Sequence, residues 1–160
     1  MREMLRNLMF PTRTTTGLAL ALFILRFFVG IAFILHGGGK LMHLAEFAAA
    51  FGIPAWLALP AMLTQLLGGI LLILGAFTPL AALGIAVTMI TATIFLIQLG
   101  DPFINPTGRG WENSAFYLTA SVCLALSGAG PWSLDAWVFG RRRHNPVVDP
   151  NRVAPIPTSR

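Results

Sequence analysis

One charge interrupts the apolar run LALALFILRFFVGIAFILH, residues 18–36: Arg26. If residues 17–36 form a helix across a membrane, Arg26 lies roughly 14 Å from its start, near the bilayer middle. A charge at that depth costs about 2.5 to 3.5 kcal/mol on insertion scales. Arginine does not shed its proton to escape that cost, so Arg26 must turn inward and find acceptors. Two chemistries fit. One is contact with an anionic or polarised ligand; the other is a structural arginine bonded to neighbouring side chains and carbonyls.

Gln65 is the natural partner. Counted from Ala55 it lies about 15 Å into the second apolar segment, at the depth expected for Arg26. A Gln accepts a hydrogen bond but brings no charge, so the pair would keep a net positive charge and favour an anionic ligand. Glu112 opens the fourth apolar segment, where an acidic residue suits the positive end of a helix. It either stays at the interface or faces His36 and Lys40 across the mouth of the bundle. His36 and His43 are seven apart, which on one helix separates them by about 10 Å, too far for one metal ion. No cluster of His, Cys and carboxylates accompanies them, so no metal site is expected. The string HGGG at 36–39 lacks the G-x-S-x-G elbow of an esterase, and GGGKL lacks the Ser/Thr of a phosphate loop.

Four apolar segments must position these residues: 17–36, about 54–76, 79–99 and 111–128. Each approaches the roughly 20 residues that span a hydrocarbon core, and none alternates as a barrel strand does. The expected fold is all-α, a bundle of four transmembrane helices. Residues 41–52 read as a short amphipathic helix on the outer interface, with the glycine triplet 37–39 letting the first helix leave the membrane. The expected organisation is a basic lead at 1–16, one membrane domain at 17–139 and a basic, proline-rich disordered tail at 140–160. Trp56, Trp111, Trp132 and Trp137 fall at segment ends, at the depth of aromatic belts. Small residues, Gly30, Gly68, Gly69 and Gly84 among them, recur where helices would pack closely.

The chain is 56% hydrophobic and 11% charged, against roughly 25% charged in soluble domains. Its +5 net charge is confined to the ends. Arg2, Arg6 and Arg13 precede the first segment, and Arg141, Arg142, Arg143, Arg152 and Arg160 follow the last. Lys40 and Arg109 lie in loops between segments. This distribution argues against a nucleic-acid partner and, by the positive-inside rule, puts both termini in the cytoplasm. The first segment is long, contains Arg26 and lacks an A-x-A-like site, so it is expected to remain as a helix rather than be cleaved as a signal peptide. Cys123 is the only cysteine, which excludes an internal disulfide and argues against a dithiol redox enzyme.

The segments LRFFVGIAFILHGGGKL, FGIPAWLALPAMLTQLLGGILLILGAFTPLAAL and GRGWENSAF with GAGPWSLD together resemble the DoxX family of small bacterial membrane proteins. The resemblance covers roughly residues 18–135. Arg26, His36, Gly37, Lys40, Gly68, Gly69, Glu112, Ser133, Leu134 and Asp135 fit the family pattern. Gln65 departs from it, standing where the family usually has Glu, and the closing G-P-G reads Ala129-Gly130-Pro131. The family is similar to a subunit of thiosulfate:quinone oxidoreductase, and other members are linked to quinone or catechol detoxification. The resemblance therefore implies a redox-linked role in the membrane.

The leading functional expectation is a quinone-associated membrane subunit. Arg26, Gln65, His36, Lys40 and Glu112 would supply the polar contacts, and quinone would be substrate or ligand. No cofactor motif is evident in the sequence, so electrons would come from a soluble redox partner. The alternatives are a non-catalytic scaffold anchoring soluble redox enzymes and a small-solute transporter. Homo-oligomers are compatible with all three.

Overall fold

The computed structural model describes residues 15–106 and 108–140. The basic lead up to residue 14, Thr107 and the Arg141–Arg143 run with the tail beyond it lie outside the described residues. Among those described there are helices and no strands: α1 (Thr16–Met42), α2 (Leu44–Ala50), α3 (Ala55–Leu74), α4 (Thr78–Gln98), α5 (Glu112–Ser127) and α6 (Leu134–Gly140).

Local chemistry accounts for the helix ends. Thr15 caps α1 by accepting from Leu18 N at 3.3 Å, satisfying one of the first-turn N–H groups that lack a helical partner. Gly75 ends α3 in the left-handed region, with φ +66°, which a glycine adopts without steric penalty. Pro79 then sits in the first turn of α4, where its missing N–H is no loss.

α1, α3 and α4 are long and apolar enough to cross a membrane. Only 33%, 33% and 28% of their most apolar windows is buried inside the protein; Phe28, Leu35 and Leu80 are among the large side chains facing outward. Such a surface needs lipid rather than water against it. α5 is shorter, 16 residues. In the packing, α1 lies along α3, α3 along α4, and α4 along α5. Phe33, Leu72, Ile85 and Leu124, one each from α1, α3, α4 and α5, are fully buried at the centre.

One element departs from the sequence expectation. The glycine triplet does not end the first helix. α1 runs through Gly37–Gly39 to Met42, and the chain turns at His43 into α2, a helix shorter than the 41–52 expected. The cause is the approach of α3. A Cβ on Gly37 would lie 2.6 Å from Leu66 N and 2.9 Å from Met62 O, so this glycine packs two backbones together instead of breaking a helix. Continuing the helix also keeps its backbone groups paired within the chain.

Candidate functional site

Two polar clusters form, one at each end of the long helices. Their separation follows from the register of α1 on α3. A Cβ on Gly30 would lie 2.7 Å from Gly69 O, and one on Gly69 would lie 2.7 Å from Gly30 O. These contacts and those of Gly37 set Arg26 level with Gly75, just past the end of α3. Gln65 is ten residues earlier on α3, about 15 Å away along the axis. The expected Arg26–Gln65 pair therefore does not form. Depth counted separately from each segment's start missed this, because α1 is 27 residues long and overshoots α3.

At the α6 end, Arg26 is 1% exposed. Its Nη2 donates to Trp132 O at 2.5 Å, and its Nη1 lies where a side chain on Gly75 would begin. Asp135 is the charge that acts on it. The Asp135 carboxylate accepts from Phe77 N at 2.8 Å and Thr78 N at 3.1 Å, and Asp135 N donates to Gly75 O at 3.0 Å. It thus caps α4 and holds Phe77 in its left-handed conformation, φ +47°, which costs a non-glycine residue about 1 kcal/mol. Ser133 begins α6, accepting from Ala136 N at 3.1 Å. The segment Trp132–Asp135 is therefore a strap tying α1, the α3–α4 turn and α6 together. This environment gives Arg26 one hydrogen-bond acceptor, Trp132 O, and leaves its buried Nε and Nη1 without one among the described residues. Asp135 and Ser133 were visible in the sequence only as parts of a closing motif. A Ser-Leu-Asp start to a short helix was the available signal.

At the α2 end, Lys40 Nζ donates to Gln65 Oε1 at 3.4 Å and lies 5.6 Å from the centre of the Phe47 ring. Gln65 is 5% exposed. His36, one turn before Lys40 and on the same face, meets Tyr117 edge-on at 5.8 Å and Phe33 at 6.5 Å; Phe33 and Tyr117 are 5.1 Å apart. The structure thus gathers His36, Lys40 and Gln65 and adds Tyr117, which the sequence did not single out because a lone Tyr on an apolar helix carries no spacing signal. Glu112 starts α5, its backbone N donating to Phe103 O at 3.0 Å. No ion pair among the described residues joins its side chain to His36 or Lys40. His43 pairs instead with Glu46 on the exposed side of the turn, at 3.3 Å. A Cβ on Gly68 would meet Ile85 at 3.0 Å, and one on Gly84 would meet Thr64 at 3.1 Å, across the α3–α4 contact.

Residues 21–98, which hold Arg26, His36, Lys40 and Gln65, match the DoxX family model. A Bacillus subtilis (strain 168) protein with the name "Putative oxidoreductase CatD" is 30% identical over 127 residues, 78% of this chain and 91% of that protein. The chain belongs to the DoxX family. A Haemophilus influenzae (strain ATCC 51907 / DSM 11121 / KW20 / Rd) relative with the name "Uncharacterized protein" is 35% identical to this DoxX chain over 120 residues, 72% of it and 88% of the relative. No solved structure matches. Family and helices together make this DoxX chain a multi-pass membrane protein.

Proposed function

We propose that this DoxX protein is a redox-linked membrane subunit that binds a quinone head group at the α2 end of its helices. The observation that carries this reading is the grouping of Lys40, Gln65, His36 and Tyr117 at one end of otherwise apolar helices. The relative named as an oxidoreductase supports the redox class. In this reading a quinone ring stacks on His36 and Tyr117, and one carbonyl oxygen takes the Lys40 ammonium. Reduction adds two electrons and two protons, giving the quinol. Negative charge builds on that oxygen as electrons arrive, and a fixed ammonium in apolar surroundings stabilises it far more than water would. Protons enter from the mouth, where His36 is exposed. The electrons come from a soluble redox enzyme docked on the membrane face.

The proposed layout has four crossings, with α5 as the fourth. Its 16 residues rise about 24 Å, and the flanking segments at its two ends complete the passage. Both termini then lie in the cytoplasm of a bacterial inner membrane, and α2 rests on the outer interface. The test is extraction of the purified protein with organic solvent and quantification of bound quinone, followed by titration with a short-chain quinone read by tryptophan fluorescence. The wild type should retain or bind quinone. Lys40→Gln should weaken binding about tenfold or more, the worth of one hydrogen bond to a charged group. A wild-type protein that neither carries nor binds quinone would overturn the reading.

A further inference from the structure

Among the described residues, Lys40 is a cation without a counter-ion. The ion pairs among the described residues, His43–Glu46 and Arg109–Asp101, do not include it. Its partners are neutral: a ring face and one amide oxygen at 3.4 Å. That is long for a charged donor, which ordinarily closes to roughly 2.7–2.9 Å on an anionic acceptor. Three N–H donors thus share one long contact. The acceptor is held in place, because Gln65 is 5% exposed, and it is an amide in a position that could carry a carboxylate of nearly the same shape. One helical turn from Lys40, the exposed His36 ring meets the half-buried Tyr117 ring, with Phe33 buried behind both.

We propose that this mouth selects an aromatic oxyanion, a phenolate or ring carboxylate, seating the oxyanion on Lys40 and the ring against His36 and Tyr117. The neutrality of Gln65 is what leaves Lys40 free to take it. A Glu at residue 65 would occupy the ammonium and place a second negative charge against the ligand. This specificity rests on the reading of the mouth as a ligand site and narrows it to one charge state.

The experiment uses the full chain in nanodiscs of zwitterionic lipid, so that no anionic head group competes. Calorimetric titration compares 4-hydroxybenzoate, an anion at neutral pH, with its methyl ester, which is neutral and otherwise alike. The wild type should bind the acid at least tenfold more tightly than the ester. Lys40→Gln and Gln65→Glu should each remove that preference, and Lys40→Arg should retain most of it. Thermal unfolding of each variant shows that it is folded. Equal affinity of the wild type for acid and ester would overturn the proposal, as would a preference that survives both Lys40→Gln and Gln65→Glu. Binding of quinone is scored separately. A preference for the acid without quinone binding leaves the aromatic-anion site standing and removes the quinone; quinone binding without the preference does the reverse.

Discussion

Arg26 illustrates how a residue can be anomalous in a sequence and still be given the wrong partner. Its type and setting required a buried partner, and that much was legible. The partner was not, because Trp132 offers a backbone carbonyl, and carbonyls are carried by every residue. Its charged neighbour, Asp135, lies 109 positions away, outside any local spacing. Arg26→Ala removes a buried side chain and its hydrogen bond to Trp132 O, and should lower stability by about 2–3 kcal/mol, a bond to a charged group being worth about 1.5–3 kcal/mol. Asp135→Asn, which keeps one acceptor for the α4 amides, should lower it by about 1–2 kcal/mol, near the worth of a hydrogen bond to a charge. Chemical denaturation in mild detergent measures both. The double variant should lose less than the sum, since groups in one network couple; strict additivity would separate Arg26 from Asp135.

At the scale of elements, the existence of the four longer helices followed from apolar length, while the short α6 (Leu134–Gly140) was not expected. Three successive glycines misled for a physical reason. Glycine is a poor helix former in water, yet in a lipid-embedded helix the loss of a hydrogen bond outweighs that preference. The triplet members are also unlike one another. Gly37 faces α3 backbone, while nothing lies within 4 Å of a Cβ placed on Gly39. Gly37→Ala should push α1 from α3 and destabilise by about 1–3 kcal/mol, the usual range for overpacking. Gly39→Ala should be neutral or stabilising by up to about 1 kcal/mol. Thermal unfolding of the two variants side by side checks this, and equal losses would mean that helix propensity, not packing, governs the triplet.

For the whole molecule, the distribution of Arg and Lys directs a prediction about topology. A reporter fused after residue 160 should be active only in the form that reads the cytoplasm, and one inserted near residue 105 only in the form that reads the opposite side. Both reporters on the same side would mean that α5 does not cross. The membrane class, the helical content and the residues out of place in lipid were determined by the sequence alone, because hydrophobic length and the cost of a buried charge are properties of each segment by itself. The partners of those residues were decided only by the tertiary structure. Glycine contacts fix the register of α1 on α3, and that register carries Arg26 to the α6 end and Lys40 to Gln65. A shift of three residues along either helix would change every such pairing while leaving each segment's composition untouched. That is why the sequence could mark Arg26, His36, Lys40 and Gln65 but could not say which of them meet.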